Sequence, residues 1–246
     1  MSTNELVELV ERAGFVFKGR PVAGERRDVE SETPARAVTF TVDEVLRSAD
    51  ALRGLAGSEV IVVTEDAAAI ADAAELVMFT VCTSVGDRVV TEEIGHRDAS
   101  RRSIDEVREA TREVSERPLR ERAKTAELVV VGTVTGARRV EEPGLPRSEH
   151  DPDWWLARVA VDEVIKGPNR KNVDVLFANS NDIAWYRAPK LHEGTRGILL
   201  LHRGEEDELP REAPARAYQA THPLDFHPVE RRANLERALS ADGRER

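Results

Sequence analysis

Two adjacent acidic pairs, Asp43-Glu44 in TVDEVLRS (41–48) and Asp162-Glu163 in AVDEVIKG (160–167), are the first residues here whose type could do chemistry. Carboxylates side by side can ligate a divalent cation or divide general-acid and general-base work. Adjacent strand residues, however, point to opposite faces, so neither pair converges easily on one ion. A second candidate lies late in the chain: His192, His202, His222 and His227, with Asp225 inside HPLDFHP. If three or four of these met in space, they could bind a metal and make the chain a metal-dependent hydrolase. Their spacing matches no helical i, i+4 pattern and two prolines flank it, which favours ordinary turn and surface histidines. Cys82 in MFTVCTS, followed by His96, could pair as nucleophile and base. Its Val, Phe and Met neighbours read more simply as a buried strand.

A third candidate is aromatic. All three tryptophans (Trp154, Trp155, Trp185) and both tyrosines (Tyr186, Tyr218) fall in the second half of the chain. NSNDIAWYRAPK (179–190) sets Asn179, Asp182, Arg187 and Lys190 around Trp185 and Tyr186. Aromatic faces beside amides and cations suit a protein surface or a small-ligand groove, and in a barrel they could stack nucleic-acid bases. The plainer reading puts Trp155 in a core, with Trp154 and Trp185 along its edge. In place of this segment the first half carries the Ala-rich EDAAAIADAAE (65–75).

The elements that must position these residues come in two copies. ERAGFVFKGRPVAGERR (11–27) parallels ERAKTAELVVVGTVTGARR (121–139), and the two acidic octapeptides follow. SEVIVVTED (58–66) then parallels KNVDVLFANS (171–180), ELVMFTV (75–81) parallels RGILLLHR (196–203), and DRVVTEEIG (87–95) parallels AYQATHPLD (217–225). Recurrence in the same order points to duplication. Each segment is short, rich in β-branched and aromatic residues and bounded by turn formers, so five strands per copy are predicted. Val38, Phe40 and Val42 alternate with Thr39, Thr41 and Asp43, and Trp155, Ala157, Val159 and Val161 alternate with Leu156, Arg158, Ala160 and Asp162. In both copies the apolar step widens from two to three across the acidic pair, Val42 to Val45 and Val161 to Val164. That step predicts a bulge or bend, with Asp-Glu on its solvated side.

Helices punctuate the strands. Ser2 with Glu5, and Ser103 with Glu106, form capping-box pairs ahead of apolar helical faces. Pro118 is expected to interrupt the second helix and start another through Ala126. A last helix is expected from Pro228 to about Leu239, before a fraying SADGRER tail. The predicted fold class is mainly β with helices (α+β): two tandem five-stranded OB-like Greek-key barrels, 1–100 and 127–246, joined by a helical connector, 101–126. The motif order VxGxVxGxRR, then (A/T)VDEVxKG, VxV and GxxLLL, resembles OB-fold domains of the netrin/TIMP-like kind found in bacterial proteins. Members of that kind usually carry structural cysteines, whereas this chain has one cysteine, so the resemblance implies fold and no functional residue.

Composition narrows the function. The net charge is −10, and the 101–126 connector, where Arg alternates with Glu, is the one modestly basic stretch. Nucleic acid and anionic membranes are therefore disfavoured as partners. One cysteine excludes an internal disulfide and fits a reducing compartment, and the N-terminus lacks secretory-signal character, so a cytoplasmic location is expected. No Walker loop, dinucleotide turn, nucleophile elbow or C-x-x-C pair occurs, and no cofactor is implied. The reading is a non-catalytic binding or scaffolding protein, recognising a protein or small ligand through Trp154, Asn179, Asp182, Trp185, Tyr186, Arg187 and Lys190. The alternatives are the His/Asp metal hydrolase and a single-stranded nucleic-acid binder.

Overall fold

The structure, a computed structural model, describes residues 2–28, 36–84, 88–140, 151–204, 210, 213–214 and 216–240. Two compact units divide the chain, Met1–Glu116 and Arg117–Arg246. The expected tail at 241–246 lies outside the described residues.

In the first unit, α1 (Thr3–Arg12) is followed by β1 (Phe15–Asp28), β2 (Arg36–Ser48), a 3-10 turn (Asp50–Leu55), β3 (Glu59–Thr64), short α2 (Ala67–Ala71), β4 (Leu76–Ser84) and β5 (Val89–Asp98). The strands close into a barrel in the order β1-β2-β3-β5-β4, with β5 parallel to β3 and antiparallel to β4. This is a five-stranded OB-like barrel. Its interior is filled by Val38, Phe40 and Val42, whose alternation the sequence shows, together with Phe15, Phe17, Val60, Val62 and Met78. Each phenylalanine buried this fully is worth roughly 1.5–3 kcal/mol relative to exposure.

The long α3 (Arg101–Thr125) leads into the second unit: β6 (Leu128–Arg139), β7 (Trp154–Lys166), β8 (Asn172–Ala178), β9 (Arg196–Leu201), β10 (Tyr218–Gln219), β11 (Phe226–His227) and α4 (Arg232–Ser240). Its sheet runs β10-β8-β7-β6-β9-β11. The fifth strand expected over 217–225 is split. β10 pairs parallel with β8, as β5 does with β3, and β11 pairs antiparallel with β9, as β5 does with β4. Between them a 3-10 turn (Pro223–Asp225) leaves the ladder. Pro223 has no N–H to offer a strand, and Asp225 folds back to accept the backbone N–H groups of Thr221 and His222.

The predicted bulges are present. β1 pairs Gly19 with Val42 and Lys18 with Glu44, so Asp43 is the extra residue. β6 pairs Gly132 with Val161 and Val131 with Glu163, so Asp162 is its counterpart. The bulge drives the backbones together: a Cβ on Gly19 would lie 2.5 Å from the Thr41 carbonyl, and one on Gly132 2.7 Å from that of Ala160. Only glycine fits at either place.

Helices cover one outer face of the closed first barrel and of the second unit's six-stranded sheet. Among the described residues that sheet does not close as the expected second barrel would. Leu6 and Val10 of α1 with Val107, Ala110 and Val114 of α3 pack on Val16, Val77 and Phe79. Leu119 and Ala123 of α3 with Leu235 of α4 pack on Val129, Val131, Ile198 and Leu200. α3 thus closes the first unit with its beginning and opens the second with its end. Pro118 does not break it, contrary to expectation. The lost hydrogen bond and steric clash cost about 3 kcal/mol, and apolar anchoring on both sides of the proline offsets them. The expected cap at Ser103 is displaced as well. Ser100 accepts the Ser103 N–H, and Glu106 pairs with Arg97 and Arg102. Among the described residues no helix is long and apolar enough to cross a membrane.

Candidate functional site

With the bulges placed, each charged residue of the repeated octapeptide has a partner. Asp43 receives two hydrogen bonds from Arg20 of β1, and Asp162 receives one from Arg196 of β9. Glu44 accepts from Arg108 of α3 at 2.7 Å, and Glu163 accepts from Nη1 and Nη2 of Arg232 on α4. Hydrogen bonds from Arg232 hold the Glu163 carboxyl below its ordinary range. At the seventh position Arg47 donates to the Val10, Glu11 and Ala13 carbonyls ending α1. Its counterpart Lys166 donates to the Ala123 and Lys124 carbonyls ending α3. The octapeptide therefore clasps the helix before its barrel and the helix after it. These are surface ion pairs and a helix C-cap.

The histidines do not assemble a metal centre. Asp225 is fully buried, and its two oxygens accept Arg122 Nε and Nη2 at 2.6 and 2.8 Å. Oδ2 also accepts the backbone N–H groups of Thr221 and His222. His202 Nε2 stands 3.5 Å from Oδ1, an electrostatic contact rather than a well-formed hydrogen bond. Burial works to raise the Asp225 pKa, but His202, Arg122 and the His222 amide outweigh it and hold the carboxyl below its usual range. His222 Nδ1 accepts the Leu224 N–H, and His227 Nε2 lies 2.8 Å from the Leu224 carbonyl. His192 is exposed, in a turn closed by Thr195. Among the described residues no three His, Cys, Asp or Glu side chains converge to hold a metal ion. Cys82 sits opposite Thr91 and His96 opposite Met78 on the β4–β5 ladder, and His96 Nδ1 contacts Glu93 at 2.6 Å.

The 179–190 loop is different: polar residues build its frame, and Ile183 and Tyr186 face outward. The Asn179 N–H donates to the Asp153 carbonyl, extending the pairing at the end of β7 and β8. Asp182 makes one helical turn, its side chain accepting the Ala184 N–H and its carbonyl those of Trp185 and Tyr186. Lys190 Nζ reaches back beneath the loop to the carbonyls of Ala178, Ser180 and Trp185, at 2.6, 2.8 and 3.0 Å. Burial lowers its pKa. Leu191, fully buried, fixes the exit.

On this frame Trp185 meets Trp154 of β7 edge to face, ring centroids 5.8 Å apart. Arg187 lies over the exposed Tyr186 ring at 5.7 Å. Sequence reasoning missed Ile183, which is 82% exposed, while Tyr186 is 54% exposed. The signal was available in an isoleucine inside a turn-forming NSND–W context, outside any alternating strand pattern. Of the seven residues singled out, Asn179, Asp182 and Lys190 position the loop. Trp154 and Trp185 form its half-buried base, and Tyr186 and Arg187 project.

No family model matches the chain, and no curated protein matches it. Among solved structures it is similar to the wild-type single-stranded DNA-binding protein from Thermus aquaticus, at 11% identity over 87% of this chain and 91% of that one, with a TM-score of 0.23. A deletion mutant of the same protein is 10% identical over 87% and 93%, with a TM-score of 0.20. Superpositions this loose assign nothing to the present chain; its fold rests on its own strand order.

Proposed function

We propose that this protein is a non-catalytic binding or scaffolding protein whose second unit recognises a partner protein through the 179–190 loop. One observation carries the reading. Ile183 and Tyr186, two of the three large hydrophobic side chains exposed among the described residues, stand together on a loop held rigid from beneath by the Lys190 ammonium. An ordered loop that keeps apolar side chains in water, with an arginine beside an aromatic ring, has the composition of an interface hot spot. Pre-ordering lowers the entropy cost of association. The likeness of both units to netrin/TIMP-like domains belongs to the same proposal, as a statement of ancestry.

The test is quantitative affinity capture with wild type and an Ile183→Ser/Tyr186→Ser variant. Both positions are exposed, so the variant should fold as wild type by circular dichroism. A partner enriched by wild type and lost from the variant is expected. The same partners captured by both proteins would remove the loop from the function.

A further inference from the structure

The second unit carries another concave feature, away from its core. On the outward face of its sheet, Arg138, Leu156 and Leu176 form one cross-strand row, and Gly136, Arg158 and Asp174 form the next. Thr135 is the extra residue in β6, skipped where Val134 pairs with Val159 and Gly136 with Arg158, and its hydroxyl donates to the Arg158 carbonyl. Bulges of this kind re-aim side chains and open the sheet surface. Gly136 adds nothing to fill the space, since a Cβ there would meet no atom within 4 Å. The result is an open groove of about 340 Å³ lined by Gly136, Arg138, Leu156, Arg158, Asp174 and Pro214. Its volume is at the lower end of the range for small-ligand sites.

The groove's cations distinguish it. Several exposed arginines are matched, Arg108 with Glu44, Arg139 with Asp153, Arg196 with Asp162 and Arg232 with Glu163. Arg101, Arg170 and Arg187 meet no carboxylate at ion-pair distance among the described residues. What sets the groove apart is that two such arginines line one concave surface. Arg138 and Arg158 are exposed diagonal neighbours, and among the described residues neither meets a carboxylate at ion-pair distance, although Asp174 stands directly across from Arg158. Among the described residues, two guanidinium groups and one carboxylate leave the groove one positive charge. That balance suits a monoanion better than a phosphate dianion. Leu156 supplies an apolar floor. At the corresponding place in the first unit Thr39 pairs with Ile61.

We propose that this groove is a binding site for an organic monocarboxylate with an apolar body. Arg138 and Arg158 clamp the carboxylate, and Leu156 and Pro214 receive the hydrocarbon. Asp174 accepts a hydrogen bond from any donor at the far end. The site is independent of the 179–190 loop and stands or falls without it. A free small acid and the C-terminus of a peptide share this chemistry.

The experiment is titration of the ¹⁵N-labelled full chain with acetate, butyrate, benzoate and 3-phenylpropionate, each beside its amide, and with inorganic phosphate. N-acetylphenylalanine and its amide form a second arm. At least one acid is expected to shift the Gly136, Arg158 and Asp174 amides. Its amide, and the Arg138→Gln and Arg158→Gln variants, should bind roughly tenfold more weakly, equivalent to about 1.4 kcal/mol. Tighter binding of N-acetylphenylalanine than of 3-phenylpropionate identifies a peptide terminus as the source, and the reverse identifies a small acid. The proposal is overturned if no acid shifts those amides, if acid and amide bind alike, if phosphate binds best, or if both variants bind as wild type.

Discussion

The repeat places one pair of positions under opposite chemistry in its two copies. In the first unit Leu9 of α1 packs against Gly95 of β5, where an added Cβ would lie 3.2 Å from the leucine. The matching helix position in the second unit is Arg122, as the paired bonds Ala13 N–H to Leu9 and Ala126 N–H to Arg122 show. The residue at the Gly95 position is Asp225, and the two form a partly buried ion pair, the carboxylate fully enclosed and the guanidinium 27% exposed. Removing one partner strands the other charge. Asp225→Ala and Arg122→Leu should therefore each cost about 3–5 kcal/mol. The double variant should lose clearly less than the sum, as contacting residues do. Urea unfolding of the four proteins measures the coupling, and strict additivity would refute it. His227, beside this pair, gives the pH dependence. Burial lowers its pKa from 6.5, Arg231 adds to the lowering, and the Leu224 carbonyl and Asp225 oppose it. The folded chain therefore takes up that proton at lower pH than the unfolded chain. Stability should fall as pH drops below about 6.5, then again below about 3.8 as Asp225, also lowered, meets its unfolded-state titration. His227→Gln should flatten the upper step in urea unfolding followed across pH. The sequence marked Asp225 and the histidines as notable, but not their purpose. Arg122 lies 103 residues from Asp225, and no local pattern links them.

At the scale of elements, the octapeptide was legible as a bulge because the change of apolar step from two to three is a one-dimensional signal. Its partners were not legible, because Glu44 and Arg108 meet only after α3 has docked. The basic residue at its seventh position drew no attention in the sequence, yet it closes the C-terminus of a helix in both copies. A cation there satisfies orphan carbonyls and complements the negative end of the helix dipole. Arg47→Ala should speed amide exchange in the last turn of α1, and Lys166→Ala in the last turn of α3, each change worth about 0.3–2 kcal/mol of local opening. The Ala13 and Ala126 amides, which donate across those ends, are the reporters. Unchanged protection at either would show that apolar packing alone holds that end. The same limit applied to the 179–190 loop: Lys190 stood out as a ligand-facing cation because its sequence neighbours are aromatic. The fold turns it inward as a support.

At the scale of the whole molecule, the shared helix decides where the chain can be divided. Charge and turn residues place a boundary near residue 100 in the sequence, because GHRDASRRS reads as a linker. Val107, Ala110 and Val114 lie beyond it, and all three are buried in the outer layer of the first unit. A fragment ending at residue 100 would uncover the face they shield, formed by Leu6, Val10, Val16, Val77 and Phe79. It would also lose Arg108, the partner of Glu44. The two valines alone account for roughly 3–6 kcal/mol of apolar burial, a large share of the stability of a small domain. The fragment 1–116 should therefore unfold cooperatively in urea. The fragment 1–100 should unfold at a much lower midpoint or with no cooperative transition, and should bind hydrophobic dyes. Equal midpoints would mean that the beginning of α3 is dispensable to the first unit, and the helix–barrel–helix module would then have to be redrawn as a barrel with one helix.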